Sequence, residues 1–189
     1  MAKTAAAPAK ERERNPIEVP TDLSASGVAE IAAFLRQLLA DVFALYVKTK
    51  NFHWQMSGRH FRDYHLLLEE HSDQIFEMTD DIAERGRKIG GATLRSISDI
   101  SKHQRLEDNN AEIVSPKDML GELSSDSQHL TRYLRATHEI CEKYNDVATA
   151  SLMKPGSIRP NAGHGSYRKS FATCKIASNG EKTVFAFAA

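Results

Sequence analysis

The residues with the clearest chemical potential lie in one stretch of the sequence, KTKNFHWQMSGRHFRDYHLLLEEHSDQIFEMTDDIAER. Four of the chain's eight histidines fall within its first 24 residues, and a run of carboxylates follows them. On one predicted helix, His65 and Glu69 are neighbours four residues apart, as are Asp80 and Glu84. His53 precedes this helix across a predicted turn. Two imidazoles and several carboxylates suit iron, manganese or zinc.

The spacing of these residues restricts how they can bind a metal. From His65 to Asp80 is 15 residues, which is about 22 Å along a helix. Metal–ligand bonds are only about 2 Å long, so one chain cannot bring both pairs to one ion. A two-fold axis near residues 72–73 would set His53 and His65 of one subunit against Asp80 and Glu84 of another. Such a dimer contains two equivalent sites.

Other interpretations of the same residues remain open at this point. Charged residues at helical spacing usually form a solvated helix face, and a histidine on an apolar stripe is usually a hydrogen-bonded core residue. The chain could then be a helical adaptor that binds no metal.

The apolar pattern predicts the elements that must position these side chains. Apolar residues recur at spacings of three and four in three long segments, and Gly, Ser and Pro mark their ends. Three long helices with moderate links favour an antiparallel bundle, which needs a fourth helix. The predicted core stripe of the second helix comprises Phe61, His65, Leu68, Ile75, Thr79 and Ile82. The predicted elements are helices at about 24–56, 59–89 and 115–144, a polar connection at 92–114 with or without a short helix, and a fourth helix from about 145.

The composition of the chain argues against several classes of function. The chain has 189 residues, 25 of them basic and 25 acidic, which argues against a globally basic nucleic-acid binder. No apolar run is long enough to span a membrane, and the first residues lack the apolar segment of a secretory signal. The two cysteines, Cys141 and Cys174, have no metal-type spacing. A reduced cytoplasmic compartment is the expectation.

The first twenty residues are predicted to be a flexible, partly basic arm. Few large apolar groups occur there, and the arm carries Lys3, Lys10, Arg12 and Arg14 against two acids. It is either a solvated tail or a contact for the phosphate backbone of DNA, which would associate the protein with the nucleoid.

Three parts of the sequence resemble the Dps family, the DNA-binding proteins from starved cells, which are mini-ferritins. These parts are KTKNFHWQMSGRHF, His65 and DDIAERGRKIGG. The resemblance covers about residues 22–152. It implies an all-α, ferritin-like four-helix bundle, a two-fold dimer within a twelve-subunit shell, and oxidation of Fe²⁺, typically by hydrogen peroxide. Iron is then stored as a ferric mineral, which protects DNA. The alternative is a nucleoid DNA-binding protein without enzymatic activity.

The resemblance also implies a set of site residues. The family's ligand positions match His53, His65, Asp80 and Glu84, and a further carboxylate position, commonly Asp, matches Glu69. Trp54 matches the tryptophan beside the site, where it could supply or trap an electron; plain core packing is the other interpretation. Asp146 matches a region lining a three-fold pore, or it is a helix N-cap. Glu-x-x-His pairs, which mark di-iron sites within one chain, are absent from the sequence.

The sequence departs from the family after about residue 152. The family's last helix continues, whereas here MKPGSIRPNAGHGSYRKS has no helical period. Synonymous codons for this segment, read one base earlier, can encode DETWIDQTERRTWFLSE, a Trp-bearing helix of the type with which the family ends. We therefore predict a bundle at 21–152 whose fourth helix is disrupted, followed at 153–189 by a frameshift product, in which KTVFAFAA forms a short strand or stays loose.

Overall fold

A computed structural model describes residues 19–154 and the backbone of two short strands beyond them. The all-α, ferritin-like bundle is confirmed, and its fourth helix stops at Leu152 as predicted. The helices are α1 (Ala25–Gln55), α2 (Phe61–Lys88), α3 (Ile97–His103), α4 (Pro116–Lys143) and α5 (Val147–Leu152).

The ends of the long helices follow from local chemistry. Ser24 caps α1 by accepting a hydrogen bond from the backbone N–H of Gly27 at 3.1 Å. Ser115 caps α4 in the same way, and Pro116 occupies the first turn, where its missing N–H costs nothing. Gly58 has a φ of 90° in the turn between α1 and α2, a conformation that side chains disfavour. This tight turn makes α1 and α2 antiparallel neighbours.

The core lies where α1 packs against both α2 and α4. Large apolar side chains on α1, including Leu38 and Phe52, are 0% exposed. They meet Leu68 and Ile82 of α2 and Leu130 of α4 in one buried cluster. Each such side chain contributes roughly 1.5–3 kcal/mol on burial, so apolar packing is the main stabilising term. It holds α1 and α2 against each other.

A buried carboxylate anchors the long connection between α2 and α4. Asp41 of α1 is 0% exposed and accepts hydrogen bonds from the Arg105 guanidinium at 2.6 and 2.9 Å. It also accepts from the backbone N–H groups of Arg105 and Leu106. The Arg105 guanidinium lies 3.7 Å from the centre of the Tyr133 ring on α4. The connection predicted to be polar therefore contains a short helix, α3, and is tied to the bundle by charge.

The start of the fourth helix is well held, although the helix is short. Asp146 caps α5 by accepting from the N–H of Thr149 at 3.0 Å and from its hydroxyl. It also accepts from the Arg85 guanidinium of α2 at 2.7 Å. The helix-cap interpretation of Asp146 is thus correct. No helix in the described part of the chain has an apolar stretch long enough to cross a bilayer.

Beyond the bundle, strands Cys174–Ser178 and Glu181–Phe185 pair antiparallel. Phe185 is opposite Cys174, and Glu181 is opposite Ser178. The strand alternative for part of KTVFAFAA is therefore confirmed. The predicted arm at the N-terminus, with Lys3, Lys10, Arg12 and Arg14, lies outside the described residues.

Candidate metal half-site at the α1–α2 turn

Two of the predicted ligands meet beside the turn at Gly58. His53 lies in the last turn of α1, and His65 lies near the start of α2. Their rings stack with centroids 3.7 Å apart and planes 21° from parallel. His53 is 7% exposed, so its ring is buried, whereas His65 is partly exposed. The pair therefore lies where the bundle meets solvent. The short turn therefore brings together side chains twelve residues apart.

Backbone carbonyls set the tautomers of both rings. The Nδ1 of His53 lies 2.9 Å from the carbonyl oxygen of His65, and the Nδ1 of His65 lies 3.0 Å from that of His53. A carbonyl only accepts, so each Nδ1 carries the proton and donates it. The Nε2 atom of each ring is then the one left to coordinate a metal ion, which at His53 would take the place of any proton shared with Glu69. Hydrogen bonds of this kind orient the histidine ligands of metal sites and raise their basicity.

Glu69 completes the group, one helical turn after His65. Its Oε2 lies 2.8 Å from the His53 Nε2, where a cation, either a proton or a metal ion, must lie between them. Its Oε1 accepts a hydrogen bond from Lys50 at 3.0 Å. The Lys50 ammonium, together with the nearby imidazoles, holds the pKa of Glu69 below its usual value. Glu69 is therefore a carboxylate ready to coordinate.

Phe61 departs from the prediction. It was expected in the core stripe of α2, yet it is 46% exposed. It is the first residue of the helix, so its side chain lies over the edge of the bundle. Its ring stacks on His65 at a centroid distance of 5.0 Å, which extends the histidine pair into a column of three rings.

The acidic pair of α2 stays far from the histidines within one chain. Asp80 and Glu84 are exposed on the same helix, about four and five turns beyond His65. Glu84 pairs with Lys88 at 2.8 Å, which lowers the pKa of the Glu84 carboxyl. Among the residues that the structure describes, no three His, Cys, Asp or Glu side chains converge on a common metal position. One chain therefore brings three of the five predicted ligands, His53, His65 and Glu69, to the turn, and completion of the site by a partner stays a prediction.

Trp54 is 70% exposed, although it follows His53 directly in the sequence. The core-packing interpretation is wrong for the single subunit, because consecutive helical residues differ by about 100° in direction. The chain's single tryptophan thus lies on the open edge beside the histidines.

Sequence reasoning missed Lys50 as a member of this group. Its spacing carried the signal, because Lys50 precedes His53 by three residues and therefore lies on the same face of α1. The hydrogen bond to Glu69 raises the pKa of Lys50, although partial burial opposes the shift. The ammonium is consequently a fixed positive charge at the edge of the half-site.

Comparisons with known proteins agree with this architecture. The ferritin-like domain matches residues 32–156, about two-thirds of the chain. The DNA protection during starvation protein of Helicobacter pylori is 31% identical over 62% of this chain and 81% of its own length. An uncharacterized low temperature-induced protein of a Nostoc species is 34% identical over 70% of this chain and 73% of its own.

A solved structure extends the likeness to three dimensions. The Dps protein of Vibrio cholerae, described as a member of the ferritin-like diiron-carboxylate superfamily, has a TM-score of 0.66 and 23% identity. The match covers 69% of this chain and 82% of the other, which shows a shared fold. The chain belongs to the ferritin-like family and, within it, to the Dps proteins.

Proposed function

We propose that two copies of this chain bind Fe²⁺ at their interface, oxidise it with hydrogen peroxide and store the product as a ferric mineral. The observation that carries the proposal is the pair of His53 and His65, whose Nδ1–H groups are both engaged by carbonyls. Their Nε2 atoms and Glu69 form a nitrogen and oxygen donor set that suits iron. Iron is here a substrate and cargo.

The exposed face of α2 supports completion of the site by a second copy. Leu66 and Phe76 are 51% and 49% exposed, so about half of each large apolar side chain is uncovered in the single subunit. Asp73 lies between them and is exposed, whereas Ser72 is buried. A two-fold axis beside Asp73 would bury Leu66 and Phe76 and would set residues equidistant from the axis against each other.

The same axis would deliver the acidic ligands. Residues 65 and 80 are equally far from a midpoint between residues 72 and 73, so Asp80 of one subunit would approach His65 of the other. Glu84 would follow one turn further along. Each interface would then hold two sites with imidazoles from one chain and carboxylates from both, within a larger closed shell.

Charge explains why such a site oxidises iron. Carboxylate oxygens are hard anions that stabilise Fe³⁺ over Fe²⁺, so electron loss is favoured at Glu69, Asp80 and Glu84. Two ferrous ions together give two electrons to one peroxide, which takes up two protons and leaves as two waters. This paired transfer avoids a free hydroxyl radical. In this proposal Trp54, which is exposed and follows His53 in the sequence, supplies or traps a stray electron.

The decisive experiment is complementation between inactive variants. His53→Ala/His65→Ala and Asp80→Ala/Glu84→Ala should each abolish peroxide-dependent oxidation of Fe²⁺, measured by absorbance of the ferric product. In an intersubunit site, each mixed dimer of the two variants contains one site with all native ligands. Co-expression in equal amounts should therefore restore about a quarter of the wild-type rate.

A matched control removes two histidines elsewhere. His129→Ala/His138→Ala changes the same residue type on α4 and should leave the rate unchanged. Full activity of the His53→Ala/His65→Ala variant would refute the site. Inactivity of each variant alone with no recovery in the mixture would refute its intersubunit construction.

DNA binding is a second candidate function, favoured by the basic residues of the N-terminal arm. The name of the Helicobacter relative, a DNA protection protein, points the same way. Four basic residues per arm release few counterions, so useful affinity would need many arms on one shell. A gel-shift assay with and without residues 1–15 tests this function. Retardation that survives the deletion, or that never occurs, would argue against the arm.

We also propose that residues from about 153 onward arise from a shifted reading frame. A six-residue α5 supports this, because a ferritin-like bundle needs a full fourth helix. The DNA sequence around codon 152 tests it. A restored frame that reads DETWIDQTERRTWFLSE would confirm the proposal, and a gene that encodes the present tail in every independent copy would contradict a sequencing error.

A further inference from the structure

The Nε–H of Arg36, on α1, is buried and has no acceptor within hydrogen-bond distance among the residues that the structure describes. The Arg36 side chain is partly buried, so water reaches its guanidinium incompletely. Arg85, another partly buried arginine, pairs with Asp146 at 2.7 Å. Arg105 pairs with Asp41 at 2.6 Å. Because a buried donor without a partner is costly, Arg36 requires an acceptor from outside the described residues.

Arg36 lies close to the point where the described chain begins. A Cβ atom at Gly91 would clash with the side chain of Ala32, so the turn after α2 contacts α1 at Ala32. Arg36 is one helical turn beyond Ala32 on the same face, and helical side chains lean towards the N-terminus of their helix, which is towards this contact. The Cβ of Val19 lies 3.9 Å from the position of a Cβ at Gly90, in the same turn. The chain therefore joins the bundle beside Arg36.

Glu18 immediately precedes Val19 and is the first acid upstream of this contact. One extended residue spans about 3.3–3.6 Å, so the Glu18 carboxylate is within side-chain reach of the turn at Gly90. We propose that Glu18 pairs with Arg36 and anchors the base of the N-terminal arm to α1. The next acid upstream, Glu13, is five residues further from the contact. This inference does not depend on the metal site, and it gives the arm a fixed starting point.

Charge and chain stiffness both favour this pairing. A carboxylate and a guanidinium form stronger hydrogen bonds than neutral groups do, and the Nε–H together with one Nη–H can bind both carboxylate oxygens. Pro16, two residues before Glu18, has its φ fixed near about −65°, so the chain loses less conformational freedom on docking. The basic residues of the arm all lie at or before position 14, so they stay free to contact DNA phosphates while Glu18 holds the base.

Spin labelling at the base of the arm tests the proposal in the full chain. A nitroxide is attached to Asn15→Cys in a Cys174→Ser background, in which the remaining native cysteine, Cys141, is buried. With Glu18 and Arg36 intact, electron paramagnetic resonance should show a slowly moving label. Glu18→Gln and Arg36→Gln should each shorten the rotational correlation time of the label at least about 3-fold, because the base of the arm is released. The exchanged double variant, Glu18→Arg/Arg36→Glu, should restore slow motion.

Glu13→Gln is the matched control, because it makes the same charge change on the same arm and should leave the spectrum unchanged. Slow motion that persists in Glu18→Gln would overturn the proposal, and this variant lies outside the helices of the bundle. A label that already moves freely beside native Glu18 and Arg36, or that Glu13→Gln releases equally, would also overturn it. So would an exchanged double variant as mobile as the single variants.

The size of the assembly distinguishes the other source of an acceptor. If Arg36→Gln changed the elution volume in gel filtration while Glu18→Gln left the label slow, the partner of Arg36 would be a carboxylate of another copy of the chain. That result would overturn the pairing with Glu18. An unchanged elution volume for both variants, with the label released in both, is the result expected for an anchor within one chain.

Discussion

Two lysines on α1, Lys48 and Lys50, carry the same charge two residues apart and have different surroundings. Lys48 points to α4, where its Nζ lies 2.7 Å from Glu122 and 2.8 Å from Asp126. Its side chain is 6% exposed. Lys50 points to α2, where it meets the half-exposed Glu69. Successive helical positions differ by about 100°, so a two-residue step reverses the direction of the side chain.

The Lys48 cluster is closed and its polar groups are satisfied. Asn109 donates to the second oxygen of Glu122 at 2.6 Å. Burial alone would lower the pKa of Lys48, but the hydrogen bonds to Asp126 and Glu122 outweigh it and the pKa is raised. Burial also raises the pKa of Asp126. The Lys50 cluster instead presents imidazole nitrogens and a carboxylate at an open edge. The burial of the charged groups and the completeness of their hydrogen bonding, rather than the residue types, distinguish a structural ion pair from a binding site.

The largest expected effect comes from breaking the closed cluster. Lys48→Met leaves Glu122 and Asp126 facing each other without a cation, which should lower the free energy of unfolding by about 3 kcal/mol. Urea denaturation followed by circular dichroism measures this loss. Oxidation of Fe²⁺ per folded chain should not change. A variant as stable as the wild type would show that the buried lysine is not structural.

A second closed cluster, at Asp146, should show a smaller effect. Asp146→Ala removes the N-cap of α5 and the partner of Arg85, so the free energy of unfolding should fall by about 2 kcal/mol. Asp146→Asn is the control, because its side-chain oxygen still accepts from the Thr149 N–H, and it should lose less. Equal losses for the two variants would mean that the charge pair with Arg85 matters more than the cap.

The open cluster should contribute little to stability. Lys50→Met should leave the urea midpoint close to that of the wild type, because ion pairs with an exposed partner are weak and screened by solvent. The same urea series as for Lys48→Met provides the measurement. A loss as large as that of Lys48→Met would erase the distinction between the two lysines and would make Lys50 structural.

The reactivity of the Cys141 thiol tests whether the folded bundle keeps solvent away from α4. This test does not depend on a change in the free energy of unfolding. Burial, followed by the charge of Asp146, raises the pKa of the Cys141 thiol to about 12. At pH 8 only about one thiol in 10⁴ is then ionised, so alkylation by iodoacetamide should be very slow in a Cys174→Ser background. The rate should rise as pH approaches 12, and urea should restore ordinary reactivity at pH 8. Rapid labelling of the folded chain would show that the bundle opens at α4.

Much of the fold could be predicted because local signals agree with one another. Ser24, Ser115 and Pro116 begin helices where capping chemistry places them, and the turn at Gly58 follows from its backbone freedom. The sequence left Asp146 open between a helix cap and a pore residue. Its buried contact with Arg85 could not be predicted, because the two residues are 61 positions apart and only the fold brings them together. Phe61 was misplaced because helical period alone does not say where a helix reaches the edge of the bundle.

The candidate site likewise has features that the sequence predicted and features that it could not predict. The sequence by itself determined the ligand types, the helical spacing of His65 with Glu69, and the distance that keeps Asp80 and Glu84 apart from them, because helical rise is fixed by backbone geometry. Only the tertiary structure decided that the two imidazoles stack and donate to each other's carbonyls, and that Trp54 lies in the open. It also decided that the carboxylate partners of Lys48 are mostly buried, whereas those of Lys50 are exposed. Those properties depend on which helix covers each face, and that is set by packing across the whole bundle.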